Sequence, residues 1–139
     1  MRLVLDTNIA VSALLWRGAP RQLLDQIIED SKIELYASPI LLRELSEVLH
    51  RPKFAQRLSA AGLTVEALLA DYVDLVSTIA PPPLTQRVSR DPDDDAVLAC
   101  AVAAHADVIV SGDQDLLMLK IFKTIPIVTA TQMLELITR

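Results

Sequence analysis

Carboxylates are the chemistry-bearing side chains of this 139-residue chain, and a few of them stand at telling places. Asp6 closes the apolar run Leu3-Val4-Leu5, and Asp113 follows two residues after the segment Val108–Ser111. Asp93, Asp94 and Asp95 stand together after Pro92, and Glu44 lies within a helical stretch that opens at Ser38-Pro39. Several carboxylates within a few ångströms repel one another, so some protonate unless a cation joins them. Hard divalent ions take oxygen ligands, and Mg²⁺ accepts carboxylates, waters and substrate phosphates. Such ions activate a water and steady the leaving oxygen in phosphodiester hydrolysis. The chain has no zinc-spaced Cys/His set and no glycine-rich phosphate loop, and His50 and His105 form no plausible Ser-His-Asp arrangement.

The elements that must position these acids alternate. Arg2–Leu5 reads as a buried strand, and Asn8 or Thr7 can cap a helix over Ile9–Trp16. Gly18-Ala19-Pro20 breaks it, and a second helix covers about Arg21–Asp30. A strand at Ile33–Ala37 follows, then an N-cap at Ser38 and a helix to about His50. Pro52–Leu58 is a short helix ended by Gly62, and Val65–Ile79 is strongly helical. Pro81-Pro82-Pro83 forces an extended connection, and the acidic turn Asp91–Asp95 feeds a helix to about His105. A strand at Asp107–Ser111, a short helix at Asp115–Lys120, a strand at Ile125–Val128 and a helix at Ala130–Thr138 complete the chain. Short, doubly apolar strands between helices mean an α/β fold with a mostly parallel sheet covered on both faces.

Such sheets bind ligands outside the carboxyl ends of their strands, at a topological switch point. Asp6 and Asp113 fall at that edge; Asp95 lies in the first turn of the helix leading into the Asp107–Ser111 strand, where the helix dipole favours a carboxylate. Asp95 has the best inward phase, with Val97, Leu98 and Ala101 behind it, whereas Asp93 and Asp94 read as turn and capping residues. Glu44 neighbours Ile40, Leu41, Glu47 and Val48, while Arg43, Glu47 and Arg51 form an i, i+4 ladder on the solvent line. Glu44 is therefore offset toward the apolar stripe, where its carboxylate either meets a cation or snorkels outward. Asp6 suits equally a role as cap of the following helix, and Asp115 suits the cap of Leu116–Lys120.

Composition narrows the classes further. The chain is 52% hydrophobic with one cysteine, which excludes disorder and a disulfide scaffold and suits a single domain over residues 1–139. Its longest stretch without a charged residue, Leu75–Gln86, carries three prolines, whereas a membrane span needs about 20 apolar residues. A soluble cytoplasmic setting is expected. The net charge of −5 argues against a general polyanion binder while allowing a local basic rim.

Leu3-Val4-Leu5-Asp6-Thr7-Asn8 resembles the opening motif of PIN-domain nucleases. Ser38-Pro39 leading to Glu44, then Asp91 to Ala101, then Val110-Ser111-Gly112-Asp113-Gln114-Asp115-Leu116-Leu117, match the family's remaining motifs in order and spacing. The resemblance runs from Arg2 to Leu136 and is strongest to the VapC-like toxin components of prokaryotic toxin–antitoxin pairs. It implies a three-layer α/β/α fold and Mg²⁺- or Mn²⁺-dependent endoribonuclease activity leaving 5′-phosphate and 3′-hydroxyl ends. It also implies inhibition by a small antitoxin encoded nearby. Asp6, Glu44, Asp95 and Asp113 fall on the family's acids, with Asn8 and Ser111 on supporting polar positions and Asp94 and Asp115 beside them. The Asp93-Asp94-Asp95 run leaves the third acid ambiguous by one residue.

Arg87 and Arg90 flank the acidic turn and are the expected RNA phosphate contacts; Arg17, Arg21, Arg43, Arg51, Lys53 and Arg57 are either a phosphate path or solvated surface. Cys100 reads as a small buried hydrophobe, and the His105 side chain as a partner of the last helix carbonyls. Trp16 suits core or a subunit interface, and Ile9–Trp16 and Pro52–Leu63 look apolar and exposed, which with the family's habit of pairing suggests a homodimer. Two rivals remain. One is a PIN fold that binds RNA or protein without activity. The other is a phosphoryl-transfer or receiver-like domain, disfavoured because Asn8 stands where a second Asp is wanted and Val128-Thr129-Ala130 lacks a lysine.

Overall fold

The computed structural model describes residues 1–82, 88 and 92–138. In chain order it forms β1 (Arg2–Leu5), α1 (Thr7–Leu15), α2 (Ala19–Glu29), β2 (Glu34–Ala37), α3 (Pro39–Leu49), a 3₁₀ turn at Pro52–Phe54 and α4 (Ala55–Ala60). There follow α5 (Val65–Leu75), β3 (Ser77–Thr78), α6 (Pro92–Ala103), β4 (Val108–Val110), α7 (Gln114–Leu119), β5 (Ile121–Phe122), β6 (Ile125–Val128) and α8 (Ala130–Ile137). The strands lie in the order β3-β2-β1-β4-β6-β5, parallel except for the β5–β6 hairpin. The chain runs outward from β1 through β2 to β3, then crosses back to place β4 on the other side of β1. The switch point therefore lies between β1 and β4.

The pleat divides the core into two layers. Leu3, Leu5, Leu35, Ala37, Val108 and Val110 face one side, with buried residues of α1, α2, α3, α5 and α8 against them. Val4, Ile109 and Ile127 face the other, under Val97, Leu98, Cys100 and Ala101 of α6 and Leu116 of α7. Both faces of the central strands are dry, as the unbroken apolar runs require. The result is the expected three-layer α/β/α arrangement. No helix among the described residues is long and apolar enough to cross a membrane.

Several local expectations are corrected. The helix expected over Val65–Ile79 stops at Leu75, because Val76 is extended and Ser77–Thr78 pair with Tyr36–Ala37 as an edge strand. The β-branched Thr78, with Val76 and Ile79 flanking the strand, suits extended backbone. The two-residue strand β5 was likewise not expected; it exists by pairing Ile121–Phe122 with Pro126–Ile125. Helix α1 begins at Thr7, and Asp6 rather than Asn8 or Thr7 holds the N-cap position. Nor is Ile9–Trp16 an exposed apolar helix: Ile9, Ala10, Val11, Ala13 and Leu15 are buried, and Trp16 is 41% exposed with its ring edge-on to Phe54. In Pro52–Leu63 the buried residues are Phe54 and Leu58. The larger exposed apolar side chains lie elsewhere, at Ile28, Ile40, Met118 and Ile121.

Candidate metal centre

The carboxyl ends of β1, β4 and β6 are stitched together before any side chain is considered. The Asp6 N–H donates to the Val110 carbonyl at 2.9 Å, and the Ser111 N–H donates to the Val128 carbonyl at 2.9 Å. Asp6 sits at the N-cap of α1 with an extended backbone, yet its side chain caps nothing. Its Oδ2 instead accepts the Ser111 hydroxyl at 2.8 Å, and both residues are buried, Asp6 6% and Ser111 0% exposed. The same Ser111 Oγ accepts the Asp113 N–H at 3.0 Å. One hydroxyl thus orients an acid on each side of the switch point.

Asp113 is also the N-cap of α7. Its Oδ1 accepts the N–H groups of Asp115 at 2.8 Å and Leu116 at 3.3 Å, so Asp113, not Asp115, caps this helix. The capping role leaves Asp115 exposed in the first turn, beside Asp113. Asp94, on the first turn of α6, is 3% exposed. Carboxylate oxygens of Asp94, Asp113 and Asp115 lie within 4.8 Å of one another.

The inward member of the α6 acids is therefore Asp94, which corrects the expected phase. Asp95 is half-buried, and its Oδ1 and Oδ2 accept the Val88 N–H at 3.2 and 3.3 Å. Asp93 is exposed. The helix begins at Pro92, and its starting phase buries the second aspartate. Glu44 is half-buried on α3, a helix that starts at the carboxyl end of β2 with the Ser38 hydroxyl accepting the Leu41 N–H at 3.2 Å. The Glu44 Oε2 atom is shielded from solvent, consistent with its offset toward the apolar stripe. Neither Glu44 nor Asp6 belongs to the 4.8 Å group. Asn8 is exposed in the first turn of α1, at the same edge.

A residue passed over except as a cap, Thr7, is buried, and its Oγ1 finds no hydrogen-bond partner among the described residues. It borders a small cavity together with Leu41, Leu45 and Tyr72. Behind the site, burial pushes the Cys100 thiol up to about 11, with a hydrogen bond to the Ser38 side chain pulling the other way. Burial likewise pushes the Tyr72 hydroxyl well above its ordinary range, with a smaller push from Cys100. Cys100 is the buried hydrophobe expected.

The basic residues are placed less as expected. Arg57 Nε donates to the Leu15 carbonyl at 2.7 Å, and Arg21, paired with Asp25, reaches the Ala13 carbonyl at 3.4 Å. These two arginines serve the C-terminal end of α1, the end away from Asp6. The Arg43–Glu47–Arg51 ladder is not made: among the described residues no ion pair joins its members. The His105 ring makes no bond to the last α6 carbonyls; its backbone N–H meets Val102, and the Arg2 guanidinium meets Ala104. Arg87 and Arg90 lie outside the described residues.

An all-oxygen, all-carboxylate donor set with one buried member suits a hard divalent cation and has no thiolate or imidazole that would select a softer one. The PIN domain family model matches residues 2–115. The chain belongs to the PIN domain family. This PIN domain is 35% identical over 121 residues to the uncharacterized protein MJ1680 of Methanocaldococcus jannaschii, covering 86% of this chain and 76% of that protein. Its fold also matches a chain in the crystal structure of VapBC2 from Rickettsia felis bound to a DNA fragment from their promoter. There the TM-score is 0.60 at 15% sequence identity, over 91% of this PIN domain and 97% of that chain.

Proposed function

We propose that this PIN domain is a divalent-metal-dependent endoribonuclease and the toxin of a toxin–antitoxin pair. The observation that carries the reading is the convergence of Asp6, Asp94 and Asp113 on the carboxyl edge of the sheet, at the β1/β4 switch point. Asp94, Asp113 and Asp115 would hold Mg²⁺ or Mn²⁺, with Asp6 and Glu44 on the approach from β1 and α3. When bound, such an ion supplies an activated water and charge stabilisation at phosphorus. Ser111 keeps Asp6 and Asp113 in fixed orientations, and Asp95 ties α6 to the Val88 backbone.

Likeness to a VapBC chain supports a protein antitoxin as partner, and the resemblance to VapC-like toxins supports RNA as substrate, a cytoplasmic setting and a homodimer. Arg87 and Arg90 are the RNA contacts proposed. The test is cleavage of a labelled RNA pool by the purified chain with Mn²⁺, with EDTA, and with Mn²⁺ plus Asp94→Asn. Cleavage in the first arm alone supports the reading. Metal-stabilised protein that binds RNA but never cuts it would favour the inactive binding module, and a single 15 kDa species in light scattering would refute the dimer.

A further inference from the structure

At the opposite end of the sheet from the acids, the C-terminus of α6 and the β5–β6 turn enclose an open cavity of about 290 Å³. It is lined by Val102, His105, Ala106, Lys123, Thr124 and Ile125. The strand β4 separates it from the acidic edge by three residues, about 10 Å of chain. It is therefore a separate place on the molecule.

Three of these six residues hold a left-handed backbone: His105 at φ 51°, Lys123 at 47° and Thr124 at 71°. Each stands where a smaller residue is normal. His105 follows the end of α6, where its N–H meets the Val102 carbonyl and the Ala106 N–H meets that of Ala101, the helix ending that ordinarily takes glycine. Lys123 and Thr124 form the whole two-residue turn between Phe122 and Ile125, which ordinarily takes Asn-Gly. A β-branched residue at positive φ is a genuine outlier. Elsewhere the chain does use glycine at such a site, Gly62 at φ 67° after α4. Among the described residues the fourth non-glycine at positive φ is Lys120, at 62° after α7, so three of the four border this cavity, and strain kept there points to side chains wanted for themselves.

The residues around the apolar Val102, Ala106 and Ile125 bring an imidazole, a hydroxyl and a lysine whose ammonium stands over the Phe122 ring, 5.7 Å from its centroid. At the negative end of α6 the carbonyls of Cys100, Ala101 and Val102 accept backbone N–H groups and that of Ala104 accepts Arg2, which lessens the partial charge that an anion meets there. The acid nearest in sequence, Asp107, accepts the Arg2 backbone N–H. A point-charge cation with neighbouring neutral donors suits a phosphate's several oxygens, and the volume lies at the low end of small-molecule sites. We propose that this cavity binds a small organic phosphate of mononucleotide size, its phosphate on Lys123, Thr124 and His105 and its base or other flat moiety on the apolar floor.

The test is an NMR titration of the labelled full chain with uridine 5′-monophosphate, inorganic phosphate and uridine, in which no cleavage step takes part. Saturable shifts of the His105, Lys123 and Thr124 amides with the nucleotide, weaker with phosphate and absent with uridine, are expected. The double variant Lys123→Asn/Thr124→Gly supplies the residues the turn prefers, so it should melt a few degrees higher while binding at least ~10-fold more weakly, a loss of about 1.4 kcal/mol. Unchanged affinity in that variant, no saturable shift at millimolar nucleotide, or equal binding of uridine would overturn the proposal.

Discussion

The Ser111 hydroxyl donates to Asp6 Oδ2 at 2.8 Å across a sequence separation of 105 residues, and both partners are buried. The same oxygen accepts the Asp113 N–H, so removing it takes one hydrogen bond from the Asp6 side chain and one from the Asp113 backbone at once. Ser111→Ala should lower stability by about 1.5–3 kcal/mol, the range for a buried hydrogen bond to a charged group. Denaturant unfolding monitored at Trp16 checks this, and a change below 0.5 kcal/mol would show that Asp6 finds another donor (about a third of the lower bound).

The α6 register makes a second expectation. Asp94 faces Asp113 and Asp115, so Asp94→Asn should relieve repulsion and raise the melting temperature without metal, while abolishing the rise that millimolar Mn²⁺ causes in the parent chain. Asp95→Asn should leave most of the Mn²⁺-dependent rise in place. The reverse pattern in differential scanning fluorimetry would return the third acid to Asp95.

Alkaline stability should report the packing behind the site. Folding lifts the Cys100 thiol from its ordinary 9.0 to about 11, so the folded state keeps a proton that the unfolded chain releases. The corresponding stabilisation is complete below pH 9 and is lost as pH rises through about 11, with Tyr72 acting in the same direction at the upper end of that window. Urea unfolding at pH 8, 9.5 and 10.5 should show falling stability, and Cys100→Ala should flatten the slope between the first two values.

Arg57 is a structural cap, with its Nε on the Leu15 carbonyl. Arg57→Ala should cost about 0.5–1.5 kcal/mol of stability and leave the RNA cleavage rate of the remaining folded protein within twofold. A cleavage loss of tenfold at unchanged stability would restore Arg57 to the phosphate path.

Much of this molecule was legible in local pattern. Doubly apolar runs such as Leu3–Leu5 and Val108–Val110 can only be buried strands, and helical stretches between them leave a parallel sheet as the way to cover both faces. The acids' order along the chain, and their position just past strand ends, followed from the same pattern. Periods of two and 3.6 are properties of neighbouring residues, and neighbours are what a sequence displays.

What the tertiary structure decided has a different physical origin. Ser77–Thr78 and Ile121–Phe122 are strands only because Tyr36–Ala37 and Ile125–Pro126 lie alongside to complete their hydrogen bonds. Asp94 rather than Asp95 faces inward because the phase of α6 depends on where the helix starts, and a shift of one residue rotates each side chain by about 100°. Asp6 abandons its cap because a buried hydroxyl from another strand offers it a partner, and Asp113 caps α7 because Ser111 holds its backbone in place. Each of these outcomes is a competition between a local contact and one made across the fold, and only the assembled sheet brings the second competitor within reach.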